Sequence, residues 1–258
     1  MQEAGIRVIF GVEGLKVHAK LTHIGSSRGD IACVSTGNFH EGNARTYTDV
    51  ALLTADRRLT REVERVFEFI RQPARPFAFD HLVVSPRDMR RKLNALIADE
   101  VRRARQGEEA YILAKVNHIT DAKLIGRLYA AAAAGVRLRL LVRGNCSIVV
   151  SAHDRGRIEI RGIIDRYLEH SRILIFGHGG DERIYIGSAD WMTRNLDNRV
   201  EAYAPVYDEA VRRELRRIVD EGLADNVAAR VVDGTGDNLL YDDGRPPRRS
   251  QQRLYEHY

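Results

Sequence analysis

Long apolar runs, cysteine, proline and tryptophan are all scarce in this chain. Its 258 residues include 2 cysteines, 6 prolines and 1 tryptophan. Cys33 and Cys146 have neither CxxC spacing nor a histidine pair at zinc-finger distance. Neither a disulfide framework nor a structural metal site is therefore indicated by the cysteines, and two reduced, buried thiols are expected. No stretch approaches the ~20 apolar residues that span a bilayer, and the amino terminus lacks the basic-then-apolar order of a signal peptide. A cytoplasmic location is expected, with peripheral attachment to a membrane still allowed. Global disorder is excluded as well, because 44% of residues are hydrophobic and 30% charged, the balance of a chain that buries a core.

Positive charge is plentiful. The formal net charge is +5 and the isoelectric point about 9.3, which favours a polyanionic partner without choosing among nucleic acid, phosphate polymer and membrane surface. Much of the charge sits in helix-like runs such as Arg87 to Arg105. There Met89, Leu93, Leu96, Ile97 and Val101 recur at helical spacing and leave the arginines on a solvated face.

The length suits two domains. Arg7 to Phe10 and Ile31 to Val34 read as short buried strands, and Thr60 to Ile70 as a helix opened by a threonine cap. Two prolines within Gln72 to Pro76 break this pattern and set a boundary, giving domains at 1–76 and 77–232. Beyond it, strand Tyr111 to Val116, helix Asp121 to Ala134 and strand Val136 to Val142 predict a right-handed crossover between parallel strands. Asp208 to Leu223 reads as an amphipathic helix. From Asp233 to residue 258 the chain is rich in Gly, Pro, Asp and Arg without periodicity, and a disordered tail is expected.

The two halves repeat each other. His18, Lys20, Asn38, Phe39, Asn43 and Asp49 match His170, Arg172, Asp190, Trp191, Asn195 and Glu201, at offsets of 2, 20, 21, 25 and 31 from each histidine. This predicts an α/β fold of two domains related by internal duplication. The second half has strand and helix ahead of its Ala134-Gly135, the first has little ahead of Ala4-Gly5, so the first domain is expected to be incomplete.

If each histidine lies on a strand, the cation two residues on shares its face. Two imidazoles with Lys20 and Arg172 then make a phosphate site, in which one ring nitrogen attacks phosphorus and the other imidazole assists. The nucleophile needs its second nitrogen bonded, and Asp49, Glu201, Asp190 or Asn38 could orient it. Asn38 and its neighbours Thr36 and Gly37 read as a turn open to phosphate, while Phe39 and Trp191 read as core. His23, His40, His81, His118, His153, His178 and His257 lack the repeat's support and read as structural or surface residues.

At these residues the sequence resembles the polyphosphate kinase family, a branch of the phospholipase D-like superfamily. The resemblance rests on VHAKL from Val17, STGNF from Ser35, ARTYTD from Ala44, LLVRG from Leu140, DRYLEHSR from Asp165 and SADWMTRN from Ser188. It implies two phospholipase D-like domains and reversible transfer of the ATP terminal phosphoryl group to polyphosphate through a phosphohistidine. It also implies that His18 is phosphorylated with His170 as partner, that Tyr47, Arg143 and His170 contact ATP or ADP, and that Mg²⁺ takes part through ligands this chain does not reveal. No nucleic-acid partner is expected, and self-assembly into a homo-oligomer is compatible with the reading. The segment Ile148 to Arg157 departs from the family in having no proline. Phosphodiesterases of the superfamily place an acid five residues after the cation, where this chain has Gly25 and Gly177, which disfavours that rival. A truncated remnant that only binds polyphosphate or nucleotide is the other alternative.

Overall fold

The structure, a computed structural model, describes residues 2–258. The first part of the chain holds β1 (Lys16–Val17), β2 (Lys20–Ile24), β3 (Ile31–Ser35), α1 (Glu41–Thr46), β4 (Tyr47–Thr48), β5 (Ala51–Thr54) and α2 (Arg57–Arg71). Next come β6 (Val83–Ser85), α3 (Met89–Arg105), β7 (Tyr111–Val116), α4 (Ala122–Ala133), β8 (Arg137–Val142) and β9 (Ile158–Ile163). The remainder is β10 (Leu168–Glu169), β11 (Ile173–Phe176), β12 (Arg183–Gly187), α5 (Thr193–Asp197), β13 (Arg199–Pro205), α6 (Glu209–Leu223), β14 (Ala229–Val231) and α7 (Ser250–His257).

The fold is mixed α/β. A nine-stranded sheet runs β1-β13-β12-β11-β7-β8-β9-β14, with β6 also on β13, and a smaller antiparallel sheet runs β2-β3-β5. β7 and β8 are parallel across α4, as the strand-helix-strand order predicts. The centre of the large sheet is buried on both faces, and β11 there reads as a continuous apolar run. Ile112, Ala114, Val116, Leu138 and Leu140 pack with Leu93, Ile97, Leu124 and Leu128 of α3 and α4. On the other face Leu113, Leu141, Ile173 and Ile175 pack with Leu215, Val219 and Leu223 of α6. Helix α2 covers the small sheet through Leu59, Val63, Val66 and Phe69.

Elements recur at one interval. β3 and β12, α1 and α5, and α2 and α6 each begin 152 residues apart, the separation of His18 from His170. Asp56 and Asp208, at that same interval, cap α2 and α6 by accepting from the backbone N–H of Arg58 and Val211. The surroundings differ: β11 lies between β12 and β7, whereas β2 pairs with β3 alone among the described residues.

Several expectations change. Residues 7–10 form no strand, their backbone making no ladder bond among the described residues, and Phe10 is 89% exposed. Helix α2 starts at Arg57 under an aspartate cap, ahead of Thr60. Arg90 is drawn off the solvated face of α3 into ion pairs with Asp121 and Asp197. The tail expected to be disordered contains α7, held by groups that composition does not register. Ser250 bonds Asp225, Gln251 bonds Tyr167 and Glu169, and Arg248 and Arg253 pair with Glu221. Cys33 and Cys146 are free thiols, each only partly buried.

A buried carboxylate of α2 helps to fasten the segment after the two prolines, beside the bond from Arg65 to the Ala78 carbonyl. Glu62, 4% exposed, accepts the backbone N–H groups of Asp80, His81 and Leu82, the closest at 2.7 Å. Glu62→Ala leaves three donors without an acceptor, and we expect it to lower the unfolding free energy in urea by about 3 kcal/mol. A loss under about 0.5 kcal/mol, the range of ordinary surface changes, would show that the clamp is dispensable.

Candidate active site

Neither histidine lies on a strand, contrary to the sequence expectation. His18 falls where the chain leaves β1 on the large sheet and enters β2 on the small one, and His170 falls between β10 and β11. The backbone N–H groups of His18 and Ala19 both donate to the Val200 carbonyl at 2.9 Å. Those of His170 and Ser171 donate to the Thr48 carbonyl at 3.3 and 2.8 Å. Val200 and Thr48 are themselves one interval apart, so each histidine is seated on the other half's backbone. The flanking strands do likewise, since β1 pairs parallel to β13 and β10 parallel to β4. The cations still reach their histidines by curling back: Lys20 Nζ donates to the His18 carbonyl at 2.6 Å and Arg172 Nη1 to the His170 carbonyl at 2.8 Å.

The rings are held crosswise too. His18 Nδ1 lies 2.9 Å from Glu201 Oε2, and His170 Nδ1 lies 2.9 Å from both carboxylate oxygens of Asp49. A carboxylate only accepts, so each ring donates from Nδ1 and carries its lone pair on Nε2. Glu201, fully buried, also accepts from Ser188 Oγ and from Asn195 Nδ2 at 2.7 Å. Asp49 accepts from Thr36 Oγ1 at 2.6 Å. Gly37 leaves room for this acid, because a Cβ there would stand 2.0 Å from Asp49 Oδ2. Of the four proposed orienting groups, Asp49 and Glu201 contact the rings. Asp190 instead holds Arg172, at 3.2 Å, and accepts the Asn117 N–H. Asn38 is exposed and its side chain makes no hydrogen bond among the described residues.

One polar network joins both histidines. Arg172 Nη1 donates to the Thr36 carbonyl and lies 3.2 Å from His170 Nε2. Burial pulls the Lys20 ammonium down to about 8, with Arg172 adding to the fall and Glu201, Asp49 and Asp190 opposing it. Burial also lowers the His170 imidazole below its ordinary value, against the bond to Asp49. For Asp49 burial acts upward, but its bonds to His170 and Thr36 win and hold it low.

Tyr47 stacks obliquely near His170, with centroids 4.9 Å apart. Arg143 is half-buried, its Nε bonded to Asn117 Oδ1 at 2.9 Å, and burial lowers its pKa, with Arg172 adding to the fall. Thr36 and Ser188 could have been found as matching hydroxyls eighteen residues beyond each histidine. Asn117 and His118 carry no repeat signal and are positioned by the end of β7. Burial lowers the His118 imidazole, and its ring sits where a Cβ on Gly144 would be. Phe39 and Trp191 diverge: Trp191 is core, covered where β7 runs on to Ile119, while Phe39 is 62% exposed because no element covers it. A groove of about 820 Å³ adjoins Asp49, Glu169 and Ser171 and is closed at one side by Tyr255 and Tyr258.

Family models match the chain along nearly its whole length. The one for polyphosphate kinase C-terminal domain 1 covers residues 1–76, and the one for polyphosphate kinase C-terminal domain 2 covers residues 82–252. The chain belongs to the polyphosphate kinase family. It is 44% identical over 263 aligned positions to a polyphosphate kinase of Vibrio cholerae, covering 100% of this chain and 38% of that protein. The crystal structure of polyphosphate kinase from Porphyromonas gingivalis superposes with a TM-score of 0.91 at 37% identity, over 99% of this chain and 41% of that one. Phosphatidylserine synthase of Haemophilus influenzae shares the fold alone, with a TM-score of 0.57 at 9% identity over 93% of this chain and 67% of that one.

The Mg²⁺ implied by the resemblance to polyphosphate kinase does not fit the carboxylates of this cluster. Asp49, Asp190 and Glu201 are each already engaged by histidine, arginine, hydroxyl or amide donors, which a hard cation would have to displace. The positive charge in the polyphosphate kinase residues described is supplied by Lys20, Arg143 and Arg172.

With its pKa depressed, His170 stays neutral where a free imidazole, at 6.5, is already half protonated. Between the folded value and 6.5 the unfolded chain binds the extra proton, so this contribution to stability is whole above pH 6.5 and is lost on acidification through the folded value. The His170 Cε1–H resonance should titrate with a midpoint below 6.5; a midpoint at or above it contradicts the burial argument.

Proposed function

We propose that this chain carries the phosphotransfer chemistry of polyphosphate kinase, moving the terminal phosphoryl group of ATP to polyphosphate, reversibly, through a phosphohistidine on His18. The chain spans 38% of the Vibrio cholerae relative's length, so the activity of that whole protein is inferred for this chain. The two units, 1–76 and 77–232, are read as phospholipase D-like domains arising by duplication, with one histidine from each.

The observation that carries the reading is the difference between the two rings. His18 keeps its Nε2 unengaged among the described residues and its side chain is 25% exposed, whereas His170 is 13% exposed with Nε2 beside Arg172. His18 is therefore suited to attack and His170 to assist. In the forward step the His18 Nε2 lone pair forms the N–P bond as the bond from the γ-phosphorus to the bridging oxygen breaks, and ADP leaves with that electron pair. The Nδ1 proton stays in the bond to Glu201, whose charge offsets the positive charge developing on the ring. Lys20, Arg172 and Arg143 face the charge spread over the phosphoryl oxygens, and positioning with such compensation is what phosphoryl transfer chiefly requires. Tyr47, beside His170, offers an aromatic face to the nucleotide. The terminal oxygen of polyphosphate then attacks phosphorus and frees His18.

Incubation with the magnesium salt of γ-labelled ATP should leave acid-labile, base-stable label that is absent from His18→Ala. Label that persists in that variant removes the assignment. Tight polyphosphate binding without label supports a binding remnant, and ATP-independent cleavage of a nitrophenyl diester supports a phosphodiesterase.

The state of Lys20 gives a second test. With its pKa at about 8, transfer should decline on the alkaline side with an apparent midpoint near that value, and Lys20→Arg should abolish that limb. An alkaline limb unchanged in Lys20→Arg contradicts the role.

A further inference from the structure

Three side chains away from the histidine pair form a cluster that phosphotransfer does not use. His23 on β2, Asp30 just before β3 and Glu64 on α2 bring one ring nitrogen and two carboxylate oxygens within 4.8 Å of one another. Only a modest closure would bring them to the spacing of ligands that share bonds of about 2.0–2.2 Å.

The His23 ring is mostly enclosed. Its Nε2 is inaccessible, has no hydrogen-bond partner, and lies 3.5 Å from Asp30 Oδ2, beyond good bonding geometry. A buried ring nitrogen left without a partner is costly and calls for an explanation.

The second half of the chain shows what belongs between the acids. One interval on, Asp30 and Glu64 become Glu182 and Arg216, which form an ion pair. His23 becomes Ile175, a core residue that needs no polar partner. Charge is thus balanced at the later position by a guanidinium. At the earlier one the cation is replaced by a second acid, and an imidazole replaces the isoleucine. Arg7 and Arg71 line the adjoining groove of about 540 Å³, yet neither forms an ion pair with Asp30 or Glu64 among the described residues.

We propose that His23, Asp30 and Glu64 bind a divalent first-row metal ion, with Zn²⁺ the best match to one imidazole and two carboxylates, supplying the positive charge that Arg216 supplies in the second half. The ion would join β2 to α2 and complete the coordination of His23 Nε2, with water in the remaining position. Its role is structural, fastening the outer edge of the small sheet to its covering helix.

The test is titration of the metal-free chain with ZnCl₂ alone, read by calorimetry and by the shift in melting temperature. One saturable site per chain is expected, with affinity at least tenfold weaker in His23→Ala and in Glu64→Gln. Glu64→Arg re-creates the pairing of Arg216 with Glu182, so it should fold, melt higher than the metal-free parent, and show no Zn²⁺-dependent shift. His18→Ala, which removes a ring from the other cluster, should bind Zn²⁺ as the parent does. Parent-like binding in both His23→Ala and Glu64→Arg overturns the proposal, as does the absence of a saturable site or a loss of binding caused by His18→Ala.

Discussion

The bond from each histidine to a carboxylate of the other half is the constraint on which this site depends. Glu201 fixes His18 and Asp49 fixes His170, and each histidine's backbone is seated on the residue just before that acid. The carboxylate that holds each ring at Nδ1 comes from the other half. The two parts of the chain must therefore be brought together before either Nε2 is aimed. The acids are in turn held by Ser188 and Asn195 on one side and by Thr36 on the other. A ring fixed through such a chain has little freedom to turn, which is the preorganisation that electrostatic catalysis requires.

Burial sets the electrical character of the cluster. Lys20 and Arg172 are 7% and 3% exposed; burial lowers the Lys20 ammonium and the nearby guanidinium adds to the fall, while Glu201 and Asp190 oppose it. Two cations sharing one buried region attract an anion more strongly than exposed ones, because less water intervenes. The cost of burying them is met by carbonyls as well as acids, through the curl of Lys20 onto His18 and of Arg172 onto His170. Lys115 and Glu169 form a further buried pair behind His170, tied by Gln251 to the carboxy-terminal helix. That helix, and the groove it closes, are thereby continuous with the site.

The histidine pair and its repeat were legible in sequence because matching chemistry recurs at one fixed interval. The large sheet was partly legible: β7, α4 and β8 each carry their own periodicity and capping signals. What sequence did not convey was which half each acid serves, since spacing within a repeat says nothing of contacts between repeats. The premise that the histidines sit on strands failed because both lie where the chain changes partners. Phe39 and Trp191 show the limit of the repeat itself, as equivalent positions become surface or core according to what covers them. The carboxy-terminal helix was missed because four polar anchors, and no apolar stripe, hold it down. His23 and His118, set aside for want of a repeat partner, are both in polar environments that only the folded chain assembles.

The crossed orientation of the two rings is the claim to test most directly. Long-range nitrogen–proton NMR on histidine-labelled protein reports the tautomer of each ring, and both should carry the proton on Nδ1. Glu201→Gln should disturb the tautomer of His18 and leave His170 unchanged, and Asp49→Asn should do the reverse. A disturbance confined to the histidine of the mutated half, or none at either ring, would contradict the crossed arrangement and the phosphotransfer reading built on it.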